Sequence, residues 1–192
     1  GMGELITSND DIKAGVLRNS RFNYTARTSG IHYLAARSFE DSYTGTYRVS
    51  AERLSDDYAD SNISTGTVSV GGISTGSLDY NGDSDWFKVV LQADRTYEFW
   101  MDGLTLEDPY LYLRESNGRF LASNDDIQNG VQRNSRIRFA IVNAGTYFLD
   151  ARGFEDNYSG SYRLGVNLVA DDAGQSLSGA RAISVGASAS GT

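Results

Sequence analysis

The sequence repeats itself at a distance of 115 residues. The stretch "SNDDIKAGVLRNSR" at 8–21 returns as "SNDDIQNGVQRNSR" at 123–136. Residues 1–77 align with 116–192 without a gap, and 30 of the 77 aligned pairs are identical. A period of this length is too long for a solenoid repeat and has the size of a small domain. We therefore predict tandem copies of one domain.

The repeat divides the chain into three segments. Residues 1–55 are predicted to be the C-terminal half of a preceding repeat, 56–168 a complete repeat and 169–192 the start of a following one. The apolar strand faces of the first segment then need a partner, because unpaired strand edges tend to associate. We expect this segment to pack on the third segment, on the complete unit or on another chain.

Short runs with period-two alternation fill the complete unit. "DWFKVVL" (85–91) and "TYEFWM" (96–101) each have one apolar face, and the turn-like "QADR" between them predicts a hairpin. Similar runs follow in "SRIRFAIV", "GTYFLDAR" and "GSYRLGVNL". With 21 glycines and a single proline, this pattern predicts an all-β fold, an antiparallel β-sandwich or jelly roll of about eight strands.

The dipeptide Asn117-Gly118 is the strongest turn signal, because a type I′ turn requires positive φ at both central residues. A two-residue loop at this place pairs Arg114 with Leu121. The same register carries Asp108 to the loop that follows the second strand of the hairpin.

The order of five motifs along 56–168 resembles the bacterial pre-peptidase C-terminal domain family: D-W-F, D-P-Y-L-Y-L, N-D-D, G-T-Y and G-x-Y-x-L. This resemblance implies a β-sandwich accessory module that is not itself catalytic. Such modules are attached to secreted bacterial enzymes, especially proteases, or are strung along large surface proteins. We therefore expect a secreted or cell-surface location, with a protease domain or neighbouring repeats as partners within the parent chain.

The resemblance also implies a metal. Related collagen-binding domains of clostridial collagenases hold calcium between an acidic linker and a carboxylate-rich segment before the aromatic strand. The matching positions in this sequence are Asp56, Asp57, Asp83 and Asp85. The linker departs from those relatives, because it reads "SDDYADS" and lacks their glutamates.

The residues themselves point to two candidate calcium sites. "DYNGDSDW" (79–86) has side-chain oxygens at alternate positions, as the start of an EF-hand loop does: Asp79, Asn81, Asp83 and Asp85. Ser84 and Val90 replace the glycine and the glutamate that an EF-hand requires, so an EF-hand is excluded. The alternatives are a different calcium-binding loop and an ordinary solvated turn.

The second candidate lies at one end of the predicted hairpin. It gathers Asp108, Asn124, Asp125 and Asp126. The alternative is that Asn124 and Asp125 cap the turn through side-chain to backbone bonds while Arg133 or Arg136 neutralises Asp126. Calcium at either site would stabilise the fold.

Charge and composition exclude several functions. A net charge of −8 and a pI near 4.6 disfavour nucleic acid and anionic membranes as partners. The chain has no cysteine, and its only histidine, His32, lies outside the complete unit. A Ser-His-Asp triad is therefore not available within 56–168, and we predict that the protein is not an enzyme.

Twelve tyrosines suggest an alternative function. An exposed aromatic platform would be formed by Tyr80, Tyr110, Tyr112 and Tyr158. Tyrosine serves both cores and interfaces, so packing competes with this interpretation. The alternative function is an adhesin-like module that binds an extracellular protein or polysaccharide.

Overall fold

The structure, a computed structural model, describes residues 4–12, 14–26, 28–170 and 183–188. The chain forms two compact units, Gly1–Arg53 and Leu54–Thr192. Most of the segment predicted to begin a third repeat lies outside the described residues.

The second unit is a sandwich of two sheets. In its described residues the strands are β1 (Gly66–Thr67), β2 (Ile73–Leu78), β3 (Ser84–Leu91), β4 (Arg95–Gly103), β5 (Pro109–Glu115), β6 (Phe120–Asn124), β7 (Ser135–Ile141), β8 (Gly145–Gly153) and β9 (Gly160–Leu168). One sheet has the order β1-β3-β8-β5-β6 and the other β2-β9-β4-β7. Strands β1 and β3 are parallel, and the other neighbouring pairs are antiparallel. This architecture confirms the predicted all-β sandwich.

The core lies between the two sheets and is built from the faces that the alternation predicts. Buried residues from five strands include Phe87, Val89, Leu91, Tyr97, Phe99, Met101, Ile137, Ile141, Tyr147, Leu149, Ala151, Tyr162, Leu164 and Val166. Full burial of a large apolar side chain stabilises the fold by about 1.5–3 kcal/mol. The predicted inward residue Phe139 is only half-buried and packs against the edge of this core.

The predicted hairpin between "DWFKVVL" and "TYEFWM" is wrong. Strand β3 pairs with β1 and β8, whereas β4 pairs with β7 and β9 in the opposite sheet. The chain crosses between the sheets at 92–94, where Asp94 has a φ of 55°. Both strands bury one apolar face in the same core from opposite sides. Alternation identifies such a face but not the neighbour of the strand.

The turn at Asn117-Gly118 also differs from the prediction. The N–H of Gly118 donates to the carbonyl three residues earlier at 2.9 Å, and only Gly118 of the two has positive φ. The turn is therefore not of type I′, and a bulge shifts the register so that Arg114 pairs with Phe120 instead of Leu121.

The first unit reproduces the local structure of the second copy at the repeated loop. Three bonds from a backbone N–H to a side-chain oxygen recur at corresponding positions. In the first copy, Asn9 Oδ1 accepts the N–H of Arg21 (3.1 Å), Asp10 Oδ1 that of Asp11 (2.8 Å) and Asp11 Oδ2 that of Gly15 (2.8 Å). In the second copy, Asn124 Oδ1 accepts the N–H of Arg136 (2.9 Å), Asp125 Oδ1 that of Asp126 (2.9 Å) and Asp126 Oδ2 that of Gly130 (2.5 Å). The loop conformation is thus determined locally, by residues within the loop itself.

The described residues of the first unit contain no strand, although its sequence repeats β6–β9. In the second unit these four strands pair only with β2–β5 and never with one another. Residues 78–115, which contain β3–β5, have no counterpart elsewhere in this chain. The apolar side chains of the first unit are consequently exposed: Tyr47, the counterpart of fully buried Tyr162, is 78% exposed.

Removal of residues 1–53 tests this division of the chain. Because all strand pairs described above lie within 66–168, we expect a chain that begins at Leu54 to melt at the same temperature as the full chain. Leu149→Ala is the matched control, since a buried Leu→Ala substitution costs about 2–5 kcal/mol. A circular dichroism melt in which the truncation lowers the midpoint as much as Leu149→Ala would contradict the division.

Candidate metal centre

Three carboxylates meet at one end of the sandwich. Asp56, Asp83 and Asp85 each offer an oxygen, and these oxygens lie within 4.8 Å of one another. Asp56 belongs to the segment before β1, whereas Asp83 and Asp85 lie at the start of β3. Within the described part of the chain this is the only such group of acidic or histidine side chains.

The turn before β3 positions two of these residues. The N–H of Asp83 donates to the carbonyl of Tyr80 at 3.0 Å, and Gly82 has a φ of 87° that favours glycine. Asp83 Oδ2 accepts the N–H of Asp79 at 2.7 Å, and its Oδ1 accepts that of Ser84 at 2.9 Å. Because side chains alternate along a strand, Asp85 then lies on the same side as Asp83.

Asp85 is fully buried and links the two sheets. Its Oδ2 accepts a hydrogen bond from the hydroxyl of Tyr162 in β9 at 2.6 Å. Its Oδ1 is buried and has no hydrogen-bond partner. Gly76 of the neighbouring strand makes room for this contact, because a Cβ there would collide with the Tyr162 hydroxyl. The alternation in "GSYRLGVNL" places Tyr162 on the core face but does not reveal this role, for which the isolated glycine of β2 is a signal.

The cluster has strongly perturbed acidities. Burial raises the pKa of Asp85 to about 9 and that of Asp83 to about 6. Burial also raises the pKa of Asp56 and of Asp57. Neighbouring carboxylates add to each of these shifts, since like charges disfavour ionisation. Binding of a proton or of a metal cation therefore stabilises this centre, because either one reduces its negative charge.

The structure accounts for the other predicted residues of this site in different ways. Asp57 lies beside the centre, since it contributes to the pKa of Asp85, and its Oδ2 accepts the N–H of Ser77 at 3.0 Å. Asp79 supplies its N–H to Asp83. Asn81 is exposed in the same turn.

The second predicted cluster has its own partners. Asp108 is brought to the loop as predicted, but there its Oδ2 accepts a bond from Arg133 Nη1 at 2.8 Å. Asn124 accepts the N–H of Arg136 and donates its amide to the carbonyl of Asp126 at 3.0 Å. Together with the caps described above for Asp125 and Asp126, these bonds hold the loop as a turn. Asp126 Oδ1 is buried and has no hydrogen-bond partner.

The two arginines expected near Asp126 form ion pairs with other carboxylates. Arg133 pairs with Asp108, and Arg136 pairs with Asp102 at 2.9 Å. The charge of Asp126 still contributes to the raised pKa of Arg133, and Asp126 Oδ2 accepts the N–H of Gly130. Asp102 and Asp108 lie outside the loop, so the loop sequence alone does not reveal these pairs.

Two of the four predicted platform tyrosines lie together. The rings of Tyr110 and Tyr112 are 4.5 Å apart, and the guanidinium of Arg114 lies 5.3 Å from the Tyr112 ring. Burial raises the pKa of Tyr112 to about 12. Tyr158 packs against the hydrophobic core, and Tyr80 is half-buried in the turn before β3.

The sandwich and its acidic cluster can now be compared with known proteins. Residues 83–153 match the family model of the bacterial pre-peptidase C-terminal domain. The matched stretch extends from β3 to β8 and contains Asp83 and Asp85. The search of curated proteins gave no match.

Solved structures similar to this chain include three proteins of low sequence identity. The pre-peptidase C-terminal domain of collagenase from Bacillus anthracis is 19% identical, and the match covers 53% of this chain and 92% of that one with a TM-score of 0.42. The periplasmic inhibitor PliG of g-type lysozyme from Aeromonas hydrophila is 13% identical, with 53% of this chain and 96% of that one covered and a TM-score of 0.38. The surface-associated copper-binding protein CorA of Methylomicrobium album BG8 is 9% identical, with 54% of this chain and 98% of that one covered and a TM-score of 0.42. In the described residues, no helix has the length and apolar character needed to cross a membrane.

The pH dependence of stability tests the acidity of the cluster. The folded pKa of Asp85 lies above its unfolded value of 3.8, so the folded state binds this proton more tightly. Its stabilising contribution is complete at low pH and is lost as the pH rises from about 4 to about 9. In EGTA, we therefore expect the melting midpoint to fall between pH 5 and pH 8, and to fall less in Asp85→Asn.

Asp125→Asn is the control for this experiment, because Asp125 lies outside the cluster and its amide oxygen can still accept the N–H of Asp126. Identical pH profiles for the wild type and Asp85→Asn would contradict the assignment.

Proposed function

We propose that residues 56–168 form a non-catalytic accessory module of a secreted or cell-surface bacterial protein, and that calcium bound by Asp56, Asp83 and Asp85 stabilises this module. The buried Oδ1 of Asp85, which has no partner and lies among other carboxylates, carries the proposal. The family match of residues 83–153 supports the accessory role.

The donor set favours calcium over other metals. The three side chains offer only hard carboxylate oxygens, whereas zinc and the later transition metals favour histidine and cysteine. Magnesium requires near-ideal octahedral geometry, whereas calcium accepts irregular sites with six to eight oxygens. Asp57 and loop carbonyls or water would complete the coordination of calcium. The ion would neutralise several buried charges at once, which a single proton does not.

A structural role fits the position of the cluster better than catalysis. Asp83 and Asp85 are 3% and 0% exposed, so a substrate cannot reach them directly. Extracellular modules bind calcium weakly because the ion is abundant outside cells. A site of this kind would therefore be filled after secretion, which agrees with the proposed location.

Calcium titration tests the proposed centre. At one to ten times the dissociation constant, calcium stabilises the folded state by about 0.4–1.4 kcal/mol. We expect the melting midpoint at pH 7.5 to rise on adding calcium to EGTA-treated protein. Asp83→Asn and Asp85→Asn should lose this response, and Asp125→Asn should keep it. An unchanged wild-type midpoint, with no metal found by elemental analysis, would refute the proposal.

We also propose that residues 1–55 are the C-terminal half of a preceding repeat. The identical hydrogen bonds of the two loops support this domain organisation, as does the exposure of the first unit's apolar residues. The strands that would pair with this segment correspond to β2–β5 of the complete unit.

If that organisation is right, the isolated chain associates through the first unit. Light scattering should show a molecular mass that grows with concentration for the full chain and stays monomeric for a chain that begins at Leu54. A full chain that remains monomeric at high concentration would contradict association through this unit.

A further inference from the structure

The outer face of the four-stranded sheet carries a cleft of about 350 Å³. Trp100 lies in it, surrounded by side chains from β2, β4, β7 and β9: Ile73, Glu98, Asp102, Arg136 and Arg163. The cleft is on the outside of the sandwich, whereas two acids of the metal centre, Asp83 and Asp85, are buried. It is wide open to solvent, so a ligand would lie on the face of the sheet and not inside an enclosed pocket.

Gly165 determines the position of the Trp100 ring. The two residues are direct neighbours on β4 and β9. A Cβ at position 165 would collide with the indole, so the ring lies against the sheet where the glycine leaves space. Trp100 is half-buried and borders the cleft, whereas Trp86, the other tryptophan of the chain, is only 8% exposed.

Charged groups form a fixed frame around the indole. Asp102 pairs with Arg136 at 2.9 Å and with Arg163 at 3.2 Å. The guanidinium carbons of these arginines lie 5.5 and 5.9 Å from the centre of the Trp100 ring. Glu98 is held by Arg138 at 3.3 Å. Hydrogen-bond donors and acceptors therefore lie next to the ring, on side chains that are partly exposed and can reach a ligand.

The charges of the cleft identify the ligand class. Its two arginines and two carboxylates cancel, so the cleft attracts neither anions nor cations strongly. A ligand must offer an apolar face to the indole and hydroxyl groups to the surrounding guanidinium and carboxylate groups. A pyranose ring has both, and its polarised C–H groups are attracted to the negative face of an aromatic ring. We propose that this cleft binds a neutral polysaccharide.

The internal repeat supplies a selective variant. The first copy has Ser50 where the second has Gly165, which makes serine the substitution to test at that position. A serine at 165 would displace the indole without removing any group that a ligand contacts. Ala140→Thr is the matched control, since Thr25 stands at that position in the first copy and Ala140 lies on the same sheet, opposite Thr96.

Binding to a panel of polysaccharides tests the proposal. Insoluble cellulose and chitin are used in pull-downs, and soluble mannan and xylan in affinity gel electrophoresis, with heparin and collagen as an anionic glycan and a protein. We expect the wild type to bind at least one neutral polysaccharide. Trp100→Ala and Gly165→Ser should each weaken this binding at least about tenfold. Ala140→Thr and Tyr112→Ala, the latter on the opposite sheet, should retain it.

Thermal melts show whether each variant is folded, and Gly165→Ser keeps the test valid if Trp100→Ala does not fold. Tryptophan fluorescence gives a second readout: a bound oligosaccharide should change the emission of the wild type and not that of Trp100→Phe. Failure to bind any neutral polysaccharide, or binding that both cleft variants retain, overturns the proposal. Binding to heparin alone or to collagen alone overturns it as well.

Discussion

The hydrogen bond between Tyr162 and Asp85 is the contact on which this domain depends. It joins the two sheets at 2.6 Å within the core, and both residues are fully buried. A buried carboxylate is costly unless it is paired or neutralised. Tyr162 satisfies only one of its oxygens, and the nearest charges are other carboxylates. The proposed calcium ion would relieve this repulsion and would bring the segment that contains Asp56 to the start of β3, so that the linker and the sandwich become one unit.

Stability and recognition are separated in the proposed arrangement. The calcium centre lies inside, where exclusion from water makes each charge important. The Trp100 cleft lies on the outer face of one sheet, where the side chains make few contributions to the core. A scaffold of this kind can change its ligand without changing its fold. Such a division would suit the proposed accessory module, which would have to hold its shape outside the cell while presenting the proposed binding surface.

Several features of the domain were predictable from particular residues. Alternation in 85–91 and 96–101 identified the buried faces, because period two is a local property of a strand. The same alternation failed to show that β3 and β4 belong to opposite sheets, since neither face specifies a neighbour. Asn117-Gly118 indicated the turn correctly but not its type. The family resemblance placed Asp56, Asp83 and Asp85 in one site, and their oxygens do lie within 4.8 Å of one another, while calcium binding stays a prediction. The role of Tyr162 was missed because aromatic residues in strands are usually apolar core.

The sequence by itself determined the repeat, the strand faces and the local loop conformation, because each depends on residues close together in the chain. Only the tertiary structure decided which acids meet and which are neutralised. Asp85 and Tyr162 are 77 residues apart, and Arg133 reaches Asp108 across 25. Such pairs depend on the order of strands in the two sheets, and that order results from packing of the whole core.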